Sequence, residues 1–248
     1  MRSQSANGIR GFQHHRRQVG PHSAQSAVAT PQGRLPITAQ HVLQSSPIVN
    51  LIRLETVDST NDAAKRLIAD GSFTENVIVI AREQTVGRGT KGRSWLSPRD
   101  AGLYFSIVTL DVGPATPDLT THTLAAGIAC AEILIAATGL EIRLKPINDL
   151  IAGSGKLGGI LVESLVESGR VRALITGIGI NTHDADRPLP PDALPPVSLQ
   201  QLLQAAVFNE LNLSELTNGI VDAVRRWQHL VTSGNVETVQ RRWQSLCV

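Results

Sequence analysis

The stretch EQTVGRGTKGRSWLSP, residues 83–98, contains the features that decide between the fold classes open to this chain. It holds three glycines at the G-x-G-x-x-G spacing: Gly87, Gly89 and Gly92. Beside them lie three cations: Arg88, Lys91 and Arg93. Glycines free backbone N–H groups for close approach and arginines bind anions, so the stretch predicts a phosphate or carboxylate site.

The same glycine spacing occurs in dinucleotide-binding folds, where a strand precedes the glycines and a helix follows them. VIVIA at 77–81 does predict a buried strand before the glycines. After them, Pro98 and Gly102 bracket a segment unsuited to a helix, and LYFSIVTL at 103–110 predicts another strand. We therefore interpret the stretch as a long anion-binding loop between strands. The alternative, a solvated basic loop, is disfavoured because long loops without structure are uncommon unless they are functional.

Strand and helix patterns alternate through the rest of the chain and predict an α+β fold, a mixed β-sheet with helices packed on it. The apolar run at 124–139 is shorter than the about 20 residues that cross a bilayer and contains Glu132, which predicts a buried helix. Further strands are predicted at 142–145, 158–167 and 170–180. Helices are predicted from residue 58 or 59 to about 70, from about 118 to 138, and three times within 198–248.

Charge divides the 248-residue chain into two unequal parts. Residues 1–54 contain six arginines and no acidic residue, whereas the remainder contains 17 basic against 21 acidic residues. Residues 1–47 predict a disordered basic tail, although their composition is also typical of an organelle transit peptide. The acidic body disfavours nucleic acid as a partner. Cys130 and Cys247 form no disulfide framework, which indicates a reducing, cytoplasmic compartment.

Two more clusters of polar and glycine residues lie further along the chain. LKPINDLIAGSGKLGGILVE at 144–163 places Lys145, Asn148 and Asp149 before a predicted turn and Lys156 just after it, so both lysines can face one cleft. TGIGIN at 176–181 ends a strand with glycines that permit close approach, and Asn181 offers an amide. A lone lysine is usually a surface group, but three such clusters on one sheet favour a binding site.

Together these segments resemble the biotin–protein ligases, the biotin–[carboxylase] ligase family, over about residues 55–182. The motifs that carry the resemblance are VDSTN (57–61), EQTVGRGTKGRSWLSP (83–98), KPINDL (145–150), KLGGILVE (156–163) and GIGIN (177–181). The resemblance implies a mixed sheet of the class II aminoacyl-tRNA synthetase/biotin ligase type. It also implies a catalytic domain at 48–200, with C-terminal helices at 201–248 packed on it.

The activity implied by this resemblance has two steps. The carboxylate of biotin attacks the α-phosphate of Mg·ATP to give biotinyl-5′-AMP, which then acylates a lysine of a biotin carboxyl carrier domain. Lys156 would bridge the carboxylate and the α-phosphate, and Arg88 would hold the same charges from the loop side, because cations must offset the repulsion between two anions. Lipoate ligases share the fold but not the glycine-arginine loop. A lipoate or octanoate ligase, or a weakly active biotin-binding module, is therefore the alternative.

The resemblance also assigns the remaining site residues. The expected biotin contacts are Arg88, Lys156, Ser59, Thr60, Asn61, Gln84, Gly89 and Thr90. The expected nucleotide contacts are Arg93, Trp95, Lys145, Asn148, Asp149 and Asn181. No dedicated metal site is predicted, since Mg²⁺ enters with ATP, near Asp149. Neither DNA nor a membrane is an expected partner, and exposed strand edges allow a homodimer.

Three departures from the family pattern affect these expectations. The family usually has Arg where this chain has Thr90, and Lys-Trp-Pro-Asn-Asp where it has KPIND, so Pro146 and Ile147 replace a ring beneath the nucleotide. RRWQSLCV at 241–248 stops near where the family's SH3-like domain would begin, so we expect that domain to be missing.

Replacement of Thr90 by Arg tests the first departure. A charge-assisted hydrogen bond contributes about 1.5–3 kcal/mol, so T90R should slow dissociation of the adenylate roughly 10- to 150-fold. Labelling of lysines on bystander proteins should fall in parallel. Unchanged adenylate dissociation and unchanged bystander labelling in T90R would contradict this expectation.

Overall fold

The structure, a computed structural model, describes residues 50–72, 75–114, 119–187 and 193–248. The predictions for residues 1–47 lie outside these described residues. The described chain forms a mixed sheet with the strand order β1-β2-β3-β7-β6-β5-β4. The strands are β1 (Leu51–Leu54), β2 (Val77–Ala81), β3 (Gly102–Pro114), β4 (Ile142–Lys145), β5 (Asp149–Ala152), β6 (Gly155–Glu167) and β7 (Arg170–Asn181). Strand β1 is parallel to β2, and the other neighbouring pairs are antiparallel.

Helices cover both faces of this sheet. The helices are α1 (Thr60–Ala69), α2 (Leu119–Thr138), α3 (Leu199–Leu202), α4 (Ala205–Glu210), α5 (Leu213–Thr232) and α6 (Val236–Leu246). Since successive strand residues point to opposite faces, Phe105 and Ile107 pack in the core with α2, α5 and α6, whereas Val108 packs in the smaller core with α1. The sheet thus separates a large core on one face from a smaller core on the other face, where α1 packs.

Helix α2 is the central element of the large core. Its length and composition would suffice to cross a membrane, yet 67% of its most apolar window is buried inside the protein. Its one acidic residue, Glu132, accepts hydrogen bonds from Trp227 Nε1 on α5 at 2.9 Å and from Arg242 Nε on α6 at 2.8 Å. These contacts identify α2 as a core helix, as predicted from the sequence.

The predicted α+β fold with a mixed sheet is confirmed, and the differences concern short elements. Strands β1 and β5 were not predicted, because their residues do not alternate between buried and exposed as those of the equally short β4 do. Strand β3 extends beyond the predicted 103–110 to Gly102–Pro114 because β7 pairs along nearly its whole length. The C-terminal region forms four helices instead of three, two of them short.

The thiol of Cys130 provides a test of this packing. Cys130 lies fully buried in α2, and burial raises the pKa of its thiol to about 12, whereas Cys247 is half-buried. Because the thiolate is the reactive form, iodoacetamide at about pH 8 should alkylate Cys247 and leave Cys130 unmodified until the protein unfolds. Peptide mapping by mass spectrometry with and without denaturant measures this. Equal labelling of both cysteines in the native protein would contradict the described core.

Candidate active site

A cavity of about 540 Å³ lies on the α1 face of the sheet, beneath the loop that connects β2 and β3. We call this space the central cavity. Its walls are the start of α1, the β2–β3 loop, strands β6 and β7, and the segment after residue 193. The following residues expected from the sequence line it: Ser59, Thr60, Asn61, Gln84, Arg88, Gly89, Thr90, Arg93, Trp95, Asn148, Lys156 and Asn181.

Two expected nucleotide contacts, Lys145 and Asp149, do not line the central cavity. Asp149 lies directly beside it, because its carboxylate Oδ1 is 2.7 Å from Lys156 Nζ. Lys145 is exposed at the end of β4, where Ile142 and Leu144 alternate with it and face the core. Strand alternation therefore places Lys145 on the face of the sheet that bears the cavity, paired across the strands with Asp149, but Lys145 is not among the residues that line the cavity.

The β2–β3 loop has a defined fold of its own. Trp95 N donates to Gly87 O at 2.8 Å and Gly89 N donates to Arg93 O at 2.7 Å, so the loop doubles back on itself. Thr90–Gly92 forms a short 3-10 turn at its tip. Arg93 Nη2 donates to Thr90 Oγ1 at 3.2 Å, which directs this cation along the loop. The glycine-rich stretch is therefore an ordered cover over the cavity.

Glycines of the sheet allow this loop to approach closely. A Cβ atom added to Gly179 would lie 2.5 Å from Trp95 Nε1, and one added to Gly159 would lie 3.5 Å from Trp95 Cζ3. The half-buried indole therefore lies against β6 and β7 where they lack side chains. Lys156 Nζ is 5.2 Å from the centroid of the Trp95 ring, within the range of a cation–π interaction.

Neutral polar side chains that hydrogen-bond to one another line part of the central cavity. Gln84 Oε1 accepts hydrogen bonds from Thr60 N at 2.8 Å and from Thr60 Oγ1 at 3.1 Å, and Gln84 Nε2 donates to Ser97 Oγ at 2.7 Å. Ser106 Oγ donates to Asn61 Oδ1 at 2.6 Å. Because Thr60, Asn61, Ser97 and Ser106 are buried, this network fixes the positions of donors and acceptors that a neutral polar ligand could meet.

Both cations expected to act in catalysis form ion pairs. Lys156 is paired with Asp149, and Arg88 Nη2 lies 2.6 Å from Glu163 Oε2 and 2.8 Å from Asp62 Oδ1. The hydrogen bonds that Arg88 donates to Glu163 are the main reason why the pKa of Arg88 lies above its usual value. The cavity thus combines a neutral polar network with Lys156 and Arg88, which carboxylates hold in place, and Arg93 and Arg187 add two further cations to its lining.

Comparison with known proteins identifies the family. The biotin/lipoate A/B protein ligase family matches residues 54–181, which include all residues that line the central cavity except Arg187 and the segment from residue 193. The chain belongs to this family. The bifunctional ligase/repressor BirA of Bacillus spizizenii is 35% identical over 143 residues, covering 57% of this chain and 43% of that protein. This chain therefore spans less than half the length of that relative.

A shorter family member matches along more of its length. The biotin–[acetyl-CoA-carboxylase] ligase of Paracoccus denitrificans is 33% identical over 194 residues, covering 77% of this chain and 78% of the relative. Among solved structures, a biotin protein ligase from Aquifex aeolicus in complex with biotin and ATP has a TM-score of 0.63 at 26% identity, covering 81% of this chain and 79% of that one. The family fold is therefore shared beyond the matched motifs.

Several residues of the cavity were not predicted from the sequence. Glu163 ends the family motif KLGGILVE but received no role, and Asp62 follows the motif VDSTN directly. Arg187 also lines the cavity, with Nη2 donating to Ala101 O at 3.0 Å. The position of an acidic residue at the end of the family motif was the signal available for Glu163. No pattern marked Arg187, which follows the expected Asn181 in an irregular segment.

A protein metal centre is not evident in the part of the chain that the structure describes, where no three His, Cys, Asp or Glu residues cluster. Asp149 and Asn148 place a carboxylate and an amide beside the cavity. Mg²⁺ typically binds through one or two carboxylates together with substrate phosphates. This pair therefore fits a magnesium ion that enters with a nucleotide substrate.

Gly179→Ala tests the close packing of Trp95 on the sheet. Since the new Cβ would lie 2.5 Å from Trp95 Nε1, the indole must move, and the tryptophan fluorescence of the ligand-free protein should shift. Gly159→Ala is the matched control, because its Cβ would make ordinary contacts at 3.5 Å or more. Near-ultraviolet circular dichroism provides a second measurement. Identical spectra for G179A and the wild-type protein would contradict the described position of Trp95.

Proposed function

We propose that the protein is a biotin–protein ligase. It activates biotin with ATP to form biotinyl-5′-AMP and then transfers biotin to a lysine on the carrier domain of a biotin-dependent carboxylase. The observation that carries the proposal is one cavity with a neutral polar end and two cations, Lys156 and Arg88, in its walls. The named activity of the Paracoccus relative and the biotin and ATP bound by the Aquifex ligase support it.

The cavity suits the two ends of biotin. The ureido head is neutral and carries both donors and acceptors, which match the network of Gln84, Thr60 and Asn61. The valerate carboxylate is an anion and fits beside Arg88 and Lys156. The volume of about 540 Å³ also falls within the about 300–1,000 Å³ typical of small-molecule sites.

The first chemical step joins two anions. A carboxylate oxygen of biotin attacks the α-phosphorus, a P–O bond forms, and the bond to pyrophosphate breaks. Lys156 and Arg88 stabilise the charge that accumulates between the two reactants, which is commonly the largest contribution to catalysis. Asp149 holds Lys156 Nζ at 2.7 Å and so keeps the ammonium group at the cavity wall before the nucleotide binds.

The second step requires an opening to the cavity. The ε-amine of the carrier lysine attacks the acyl carbon of the adenylate, an amide bond forms, and AMP leaves. The β2–β3 loop covers the site at Thr90 and Arg93, both of which line the cavity, so the carrier lysine must enter past this loop or past the segment after residue 193. We assign Arg93, Trp95, Asn148 and Asn181 to the nucleotide, since they line the remaining wall.

A ligase for lipoate or octanoate is the second candidate, because the family to which the chain belongs includes lipoate ligases. The polar network around Gln84 favours biotin over an acid whose far end is apolar. A biotin-binding module with weak ligation is the third candidate. It is suggested by Thr90, which replaces a cation of the family.

The location and assembly of the protein are also proposals. We infer a cytoplasmic enzyme, because its relatives act on acetyl-CoA carboxylase and Cys130 and Cys247 are free thiols. The predicted homodimer and the predicted lack of DNA binding stay predictions.

Lys156→Ala tests the proposed function. The protein is incubated with ATP, labelled biotin and a carrier domain, with lipoate in a parallel reaction, and carrier labelling and pyrophosphate release are measured. The wild-type protein should label the carrier with biotin, and K156A should lose about 100- to 1,000-fold in pyrophosphate release.

Arg172→Ala is the control, since Arg172 is an exposed cation on β7 that pairs with Asp111 Oδ1 at 3.0 Å and does not line the cavity, so its loss should have little effect. Preferential labelling with lipoate would support the second candidate, and biotin binding without turnover would support the third. Near-normal pyrophosphate release by K156A would contradict the role of Lys156.

A further inference from the structure

Glu163 connects three separate walls of the central cavity. Glu163 lies on β6. Its carboxylate accepts two hydrogen bonds from Arg88 in the β2–β3 loop, from Nη1 at 3.1 Å and from Nη2 at 2.6 Å. It also accepts from Lys65 Nζ at 2.8 Å and from Asn61 Nδ2 at 2.8 Å, both on α1. A bidentate ion pair between arginine and a carboxylate fixes both the orientation of the guanidinium and its distance from the carboxylate.

Asp62 completes this group, because its Oδ1 accepts a further hydrogen bond from Arg88 Nη2 at 2.8 Å. We call Arg88, Lys65, Glu163 and Asp62 the Glu163 cluster. It contains two cations and two anions, so its formal charges cancel. Burial alone would raise the pKa of Glu163, but the hydrogen bonds from Arg88, Lys65 and Asn61 outweigh burial and hold the pKa below its usual value. Glu163 is therefore an anion at neutral pH.

The Glu163 cluster does not provide a hydrogen-bond acceptor for every nitrogen of the Arg88 guanidinium. Both η nitrogens are bound to carboxylates, whereas Nε is buried and has no hydrogen-bond partner among the described residues. Arg88 also lines the central cavity. The geometry therefore holds Arg88 by its outer nitrogens and presents it, still charged, at the wall where an acid substrate would bind.

We propose that Glu163 is a positioning residue for this site: it orders Arg88, and through Arg88 the β2–β3 loop, so that the guanidinium meets the carboxylate of the acid substrate. This inference rests on the proposed function, in which that acid is biotin. The opposite role is that Glu163 competes with the substrate carboxylate for Arg88. The two roles predict opposite changes when the negative charge of Glu163 is removed.

Glu163→Gln, compared with Glu132→Gln, separates positioning from stability. Glu132 is a matched control because it also pairs with an arginine and accepts a second hydrogen bond, and its side chain is 32% exposed against 21% for Glu163. Both variants should lower the melting temperature. Fixing a long side chain costs up to about 2 kcal/mol, so E163Q should raise the biotin Kd about 10- to 30-fold, measured by calorimetry without ATP. E132Q should leave the Kd unchanged.

A second measurement requires no ligand. Trypsin cleaves after lysine and arginine, and the tip of the β2–β3 loop carries Lys91 and Arg93, both exposed. Release of Arg88 from Glu163 should make this loop more accessible, so E163Q should be cleaved there faster than either E132Q or the wild-type protein. Equal rates of loop cleavage in the two variants would overturn the proposed ordering of the loop.

The double variant R88M/E163Q tests whether Glu163 acts through Arg88. If it does, E163Q should weaken biotin binding in the wild-type background and have no further effect in R88M. Additive effects, an unchanged Kd in E163Q, or tighter binding in E163Q would each overturn the proposal. A wild-type protein that does not bind biotin would instead contradict the proposed function, which keeps the two failures distinguishable.

Discussion

The central cavity depends on the close approach of the β2–β3 loop to the sheet, which is possible because β7 carries Gly179 where Trp95 of the loop lies against it. Gly159 and Gly179 are paired across the two strands, and Trp95 occupies the space that a side chain on Gly179 would fill. The same position of Trp95 brings its ring within 5.2 Å of Lys156 Nζ. The absence of a side chain on the sheet therefore lets the β2–β3 loop lie against β7 and brings Trp95 close to Lys156.

Electrostatic balance is the second constraint on the site. Two cations at one cavity repel each other, and each has its own carboxylate: Asp149 for Lys156, and Glu163 with Asp62 for Arg88. These pairs fix the positions of Lys156 and Arg88 before a substrate binds. An acid and a nucleotide would then meet charges that are already oriented, and preorganised charge needs little rearrangement during the reaction.

The parts of this account that the sequence predicted are those with local patterns. Helix α2 was predicted within one residue of its observed ends, since a long apolar run is closed by Gly139, whose φ is +70°. The four-residue strand β5 was not predicted, because its stability comes from pairing with β4 and β6. Spacing grouped Lys145 with Lys156, but only Lys156 lines the cavity, although strand alternation puts Lys145 on the same face of the sheet. The contact between Arg88 and Glu163 spans 75 positions, and only the folded sheet reveals it. The roles assigned to individual site residues stay predictions.

A crystal structure with a non-hydrolysable analogue of biotinyl-5′-AMP tests the central claim most directly. The account predicts that the ureido head lies against Gln84 and Thr60. It also predicts that the group replacing the phosphate lies within hydrogen-bonding distance, about 2.7–3.2 Å, of both Lys156 Nζ and the Arg88 guanidinium. An analogue bound outside the central cavity, or bound inside it with its charged group away from both cations, would contradict the account.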